Sequence, residues 1–384
     1  MQFVKLKDCC TIIAGQSPES KYYNTDGIGL PFFQGKSDFG ELYPTVRVYC
    51  SHPAKIAETD DILLSVRAPV GPTNLAPCQV CIGRGLTAIR PSSSLNLKYV
   101  LFFFRYFEAQ LQQKGTGTTF KAITQDVVRN LEIPIPPLDE QERIVARIEE
   151  LFSQLDSGVE TLRKTKQQLA VYRQAVPKEA FSGFADYTTL ASISTRIFDG
   201  PFGTNLKTAD YVSSGIRVVR LENIKNGWFD DSKQSFVTEA KYESIKQHTV
   251  YPCDLIMSTF MADSIKICQL PAHIPFAVNK ADCIGIRLRD NYFPEFVMYY
   301  LLQREVYQRV AVDIHGATRP RVNTKQIKAI PIPKAGFELQ NAIVSSVEEK
   351  LSLCDSIENT VDMSLHQAEA MRQSILKQAF EGVL

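Results

Sequence analysis

The sequence predicts a mixed α/β (α+β) fold, with two globular domains joined by a long two-helix coiled coil and built as a pseudo-two-fold internal repeat. Three observations predict it. Between Leu138 and Phe181, apolar residues fall at Ile144, Val145, Ile148, Leu151, Phe152, Leu155, Val159, Leu162, Leu169, Tyr172 and Val176, in steps of three and four. That spacing writes one narrow stripe along a helix of roughly 40 residues, about 60 Å at helical rise, and so narrow a stripe wants one partner helix. The partner lies in the same chain. A shift of 199 carries Gln141, Val145, Ile148, Phe152, Leu155, Asp156, Leu162, Ala170, Arg173, Ala180, Phe181 and Gly183 onto Gln340, Val344, Val347, Leu351, Cys354, Asp355, Val361, Glu369, Arg372, Ala379, Phe380 and Gly382. The lead-in repeats as well, Ile133-Pro-Ile-Pro136 returning as Ile330-Pro-Ile-Pro333. Domains over 1–137 and 184–333 and helices over 138–183 and 334–384 follow.

In the first domain, Val4-Lys-Leu-Lys-Asp8 reads as a short amphipathic start. Ile12-Ile-Ala-Gly-Gln-Ser-Pro18 is then a β-prone run stopped by a Gly and Pro loop. The second domain opens alike, Thr189-Leu190 leading into Ile197-Phe-Asp-Gly-Pro201. Leu30 to Phe33, Val46 to Tyr49 and Ile216 to Leu221 read as short strands. Asp60-Asp-Ile-Leu-Leu-Ser65 and Cys253-Asp-Leu-Ile-Met-Ser258 share one pattern, Asp then three apolar residues then Ser, and read as core strands. Gly83 to Arg90 pairs with Asn279 to Arg287 as a loop followed by a strand. Tyr99 to Leu111 and Pro294 to Val310 follow as helices. Each domain then has a polar, Gly-containing, partly basic loop, Lys114 to Lys121 and His315 to Arg321, just before the Ile-Pro-Ile-Pro element.

Composition narrows the function. The chain of 384 residues is 44% hydrophobic and 22% charged, as soluble globular proteins are. Its one dense apolar run, Leu101-Phe-Phe-Phe104, is too short to span a bilayer, and no basic-then-apolar leader opens the sequence, so a cytoplasmic protein without a membrane role is expected. Nine cysteines without regular spacing point to reduced thiols, and the lone Cys78-x-x-Cys81 has no second pair to complete a metal site. Basic residues exceed acidic ones 14 to 11 over 1–137 and 18 to 15 over 182–333, against 7 to 8 over 138–181 and 4 to 8 over 334–384. Mildly basic domains on acidic helices suit phosphate contact by the domains alone. The loop at Lys114 lacks the order of a nucleotide-binding P-loop, and no glycine fingerprint, hydrolase elbow, metal-binding His pair or nameable acidic cluster occurs. No catalytic residue and no metal ligand is assigned. A DNA-binding subunit, a duplicated coiled-coil adaptor for proteins or peptides, and an enzyme with an unfamiliar site stay open at this point.

Ile133 to Pro137, the helix start Asp139-Glu-Gln-Glu-Arg-Ile-Val145, the helix end Ala180-Phe-Ser-Gly183, and the repetition of the module resemble the specificity subunits of type I restriction-modification systems. The second copy departs at its lead, where Pro333-Lys-Ala-Gly-Phe-Glu-Leu-Gln340 replaces Pro136-Pro-Leu-Asp-Glu-Gln141. The resemblance implies two target recognition domains, each reading half of a split DNA sequence, and helices packed antiparallel to hold them apart. It implies double-stranded DNA, two methyltransferase (modification) subunits and, in the full complex, a restriction subunit as partners. S-adenosylmethionine and ATP would sit on those partners, leaving this chain no cofactor. Gln16, Ser17, Gln34, Lys36, Arg67, Lys114, Thr116, Thr118 and Lys121 are the candidate DNA contacts of the first domain. Phe202, Thr204, Arg220, Asn223, Lys225, Lys280, Thr318, Arg319 and Arg321 are those of the second. The helix seam is expected at Ile148, Phe152, Leu155, Leu162 and Leu169, against Val347, Leu351, Cys354, Val361 and Met371.

Overall fold

A computed structural model describes residues 3–116, 121–202, 205–311 and 321–384. It contains two compact units, Met1–Arg163 with Asp362–Leu384, and Lys164–Val361. Each long helix contributes its beginning to one unit and its end to the other.

Unit 1 holds an antiparallel sheet in the order Cys10–Ala14, Leu86–Pro91, Ile62–Ser65, Thr73–Leu75. Beside it, Leu30–Phe33 pairs in parallel with Val80–Ile82 inside a second sheet of short strands. Unit 2 repeats both sheets. Ser194–Phe198, Cys283–Leu288, Leu255–Ser258 and Ile267–Gln269 form the first, and Ile216–Val219 pairs in parallel with Ala277–Asn279 in the second. The Asp-apolar-Ser runs are the core strands, buried at every residue of Ile62–Ser65 and Leu255–Ser258. Strands buried on both faces carry no alternation, which is why the runs read as continuous apolar stretches. The aspartate ahead of each is also buried. Asp61 takes Arg90 bidentately at 2.7 and 2.8 Å, and Asp254 takes Arg287 at 3.0 and 2.6 Å, so neither carboxylate is left uncompensated. Val46 to Tyr49 differs from expectation, since only Tyr49–Cys50 is a strand there.

The Ile-Pro-Ile-Pro elements are strands that tie off each domain. Glu132–Pro134 pairs with Phe3–Lys5, and Pro331–Pro333 with Tyr187–Thr189. A two-stranded ribbon tolerates the prolines because the edge without N–H groups needs no further partner. Leu97–Lys114 is a single helix capped by the Asn96 side chain. Its counterpart is not. Where one helix was expected over Pro294 to Val310, Pro294–Leu301 and Arg304–Ala311 are separated by a tight turn in which the Gln303 N–H bonds to Tyr300 O at 3.3 Å.

The central helix spans Leu138–Ala180 and the C-terminal helix Phe337–Phe380. Gln141 and Gln340, each 0% exposed, anchor their starts in the same way. Gln141 accepts from Asn96 N and donates to Ser94 O and Pro136 O, while Gln340 accepts from Phe293 N and donates to Asn291 O and Ala335 O. Full satisfaction is what lets a buried amide persist. The helix ends cross over. Phe380 packs on Tyr99, Phe103 and Tyr106 in unit 1, and Phe181 packs on Phe296 and Tyr300 in unit 2.

In unit 1 Asp156 pairs with Arg372, and in unit 2 Arg173 pairs with Asp355 and Glu358 at 2.5 and 3.1 Å. An early residue of each helix meets a late residue of the other, so the helices run antiparallel. The aspartate of each repeat takes the arginine of the other. Of the expected seam positions, Ile148, Phe152, Val347, Cys354 and Val361 are buried, and Leu155, Leu162, Leu169 and Leu351 are half-buried. Met371 is a correction: it is 49% exposed. The buried and half-buried positions run Val361, Leu365, Ala368, Arg372, Ile375, Ala379, so the step of four from Ala368 lands on Arg372 and leaves Met371 outside. Tyr172 is exposed for the same reason, with Arg173 occupying the stripe.

Candidate nucleic-acid interface

In unit 1, five loops converge at one end of the four-stranded sheet. Gly15 follows the strand Cys10–Ala14 and donates its N–H to Leu86 O at 2.9 Å, and a Cβ on it would stand 2.2 Å from Gly83 O. A Cβ on Gly85 would stand 2.2 Å from Gln34 O. These glycines are there because backbone meets backbone without room for a side chain. Val66 N–H donates to Gly85 O at 2.9 Å and Ile123 N–H to Val66 O at 3.0 Å, which brings in the loop after Ser65 and the bridged pair Thr116 and Ala122. Between them lies a cleft of about 330 Å³ lined by Gly15, Arg67, Arg84, Thr116, Thr124 and Gln125 among others.

Gln16, Ser17, Gln34, Arg67, Thr116 and Lys121 therefore lie together. Ser17 Oγ accepts the N–H of Arg84 at 3.3 Å. Lys114 ends its helix and is exposed, and Lys36 is exposed on the short turn after Gln34, where Asp38 accepts the Gln34 N–H at 2.8 Å. Arg84 is a residue the sequence reading missed. Its signal was present, an arginine flanked by Gly83 and Gly85 and so held out on a turn. Thr118 lies outside the described residues.

Unit 2 builds the same junction. A Cβ on Gly200 would stand 2.1 Å from Lys280 O, Thr259 N–H donates to Asp282 O at 2.9 Å, and Val322 N–H donates to Thr259 O at 3.0 Å. Phe260 bridges Arg321 as Arg67 bridges Ala122. Phe260, Ala281 and Asp282 thus occupy the places of Arg67, Arg84 and Gly85. Arg321 lies over the Phe260 ring at 4.3 Å and pairs with Asp282 at 3.4 Å. Lys280 and Arg220 flank the Tyr211 ring at 5.4 and 5.5 Å. Arg220 also pairs with Glu222 at 3.2 Å, Lys225 with Asp230 at 3.3 Å, and Phe202 is exposed. Asp199, in the place of Ala14, has its carboxyl raised above the usual range by burial, although the N–H groups of Gly200 and Asp282 oppose the shift.

Asn223 is a correction to the candidate set. It is 1% exposed, accepts from Arg220 N, and donates to Asp230 O and Lys233 O at 2.8 Å each, so the side chain braces its own loop. Thr204, Thr318 and Arg319 lie outside the described residues. A second cleft of about 300 Å³ in unit 2 contains Arg217, but Asp231 and Lys233 O already engage that buried guanidinium. Among the described residues, no three His, Cys, Asp or Glu side chains are grouped to hold a metal ion, and no helix is long and apolar enough to cross a membrane.

Residues 1–169 match the family described as type I restriction modification DNA specificity domain. The chain is 39% identical over 173 residues to a Methanocaldococcus jannaschii protein named as the MjaX type I restriction enzyme specificity subunit, covering 45% of this chain and 40% of that one. To the Escherichia coli EcoBI specificity subunit it is 24% identical over 314 residues, 74% of this chain and 65% of the relative. The chain therefore spans less than two thirds of either relative. The solved HsdS subunit of Thermoanaerobacter tengcongensis is 50% identical over 40% of this chain and 37% of its own, with a TM-score of 0.37. The family match ends at residue 169, and beyond it unit 2 repeats the backbone hydrogen bonds of the unit 1 junction.

Proposed function

We propose that this chain is the non-catalytic address subunit of a type I restriction-modification complex: each unit reads one half of a split double-stranded DNA target, and two methyltransferase subunits are recruited, one per repeat. The observation that carries this reading is the junction built twice from equivalent strands, with basic and aromatic side chains on loops held by buried sheets. Rigid strands set the loop bases, and the loops supply cations for phosphates and planar donors for base edges. The cross-paired Asp156–Arg372 and Arg173–Asp355 contacts support a two-fold subunit stoichiometry, since equivalent surfaces accept equivalent partners. S-adenosylmethionine on the methyltransferases supplies the methyl group, and ATP serves a restriction subunit where one joins. This chain contributes location.

The test is duplex binding by the full chain assembled with its methyltransferase partner, across a salt series. Binding should weaken with salt by about 0.9 log units per log unit of salt for each phosphate contacted, and one bipartite sequence should win competition against random duplex. Binding that ignores salt and sequence would sink the proposal.

A further inference from the structure

Asp282 stands in the left-handed region at φ +70°, where a side chain costs conformational free energy. Gly85, at the equivalent place in unit 1, is not in that region, so the left-handed backbone here is particular to unit 2. The Asp282 carboxylate is engaged at both of its oxygens. Oδ2 lies 3.4 Å from Arg321 Nη2, and Oδ1 accepts the Thr259 hydroxyl at 3.2 Å, which fixes the carboxylate from its other side. Its own N–H donates to Asp199 Oδ1 at 3.1 Å. The Arg321 guanidinium is thus held on one edge by Asp282 and on one face by the Phe260 ring. It is still 54% exposed, so donors remain open to solvent. A guanidinium presented this way matches two acceptors in a plane, as the O6 and N7 of guanine offer in the major groove. A phosphate contact needs no such fixing, and a carboxylate beside it would work against it.

We propose that Asp282 is a positioning residue that holds Arg321 to read one guanine in the half-target addressed by unit 2. The inference rests on the address function proposed above and names the base class read at one place in it.

The experiment uses the full chain with its methyltransferase partners, the methylated motif being read by methylome sequencing and discrimination by competition with one-base-changed duplexes. Asp282→Gly suits φ +70° and should melt no lower than the parent, yet discrimination for guanine at one position of one half should fall about ten-fold. Arg321→Lys keeps the charge and loses the fork, and should relax the same position without changing the salt dependence. Preference unchanged within about two-fold in both variants, uniform weakening on all sequences, or relaxation at two different positions would each overturn the proposal. Exchange of residues 184–333 for those of a relative separates the two levels. A transplanted half-motif with an unaltered Asp282→Gly motif defeats only the guanine assignment, whereas an exchange that transplants nothing defeats the address function.

Discussion

The two loop junctions share their inter-loop backbone hydrogen bonds and carry opposite charge strategies. In unit 1, Arg67 and Arg84 face the cleft with no ion pair to either among the described residues, and Ala14 and Gly85 occupy neighbouring places. In unit 2, Phe260 and Ala281 replace the arginines, Asp199 and Asp282 replace Ala14 and Gly85, and the guanidinium arrives from another segment as Arg321, already paired. Duplication preserved what backbone geometry needs and released what faces outward. The first junction leaves its arginines without an ion pair among the described residues, and the second holds its guanidinium between a carboxylate and a ring.

Differences between the junctions can be broken against what the units hold in common. The largest effects should be equal. Phe380→Ala and Phe181→Ala each empty an aromatic site that closes one unit, at about 3–5 kcal/mol, and hydrogen exchange should show loss of protection in unit 1 for the first and unit 2 for the second. Loss in the opposite unit would contradict the crossed helix ends.

The next effects should be unequal. Arg67→Ala with Arg84→Ala should flatten the salt dependence of DNA binding by about two phosphate contacts' worth, whereas Arg321→Ala should change it less, because Asp282 already offsets its charge. Equal salt slopes would remove the contrast. Smaller still, Arg372→Ala should destabilise more than Arg173→Ala. Both ion pairs are partly exposed and contribute about 1 kcal/mol or less, but Arg372 also covers the Phe152 ring at 5.0 Å.

The smallest effect is in pH. Burial raises the Asp199 carboxyl above its usual 3.8, so the folded state binds that proton more tightly. Stability from this group is present below the unfolded value and is lost as pH rises through the folded one. Asp199→Asn should therefore raise the melting temperature at neutral pH and leave it unchanged near pH 3, about one pH unit below the unfolded value. Ala14→Asn in unit 1 should show no such pH dependence.

Much of this architecture was legible because periodicity and repetition are written in the sequence. Ile148, Phe152, Val347 and Val361 lie on the apolar stripe that their spacing marks and are buried. Arg173 and Arg372 were visible as repeat partners, but only the antiparallel register shows that each pairs with the other repeat's aspartate. Met371 and Tyr172 failed because an arginine stem occupies the stripe beside them, and apolar spacing does not count arginine. Asn223 failed because a polar loop residue can be spent on its own backbone, which composition does not reveal. Arg84 and Asp282 were missed for a third reason: their neighbours come from strands distant in sequence, and only the sheet brings Gly15 and Ser17, or Arg321 and Thr259, to meet them.

That two separable reading units lie in one chain is tested most directly by replacing residues 1–137 with the corresponding segment of a relative of known target, in the assembled complex, and sequencing the methylome. One half of the split motif should change to that of the relative, with the other half and the gap between them kept. A motif unchanged, or changed in both halves, would contradict independent reading by the two units.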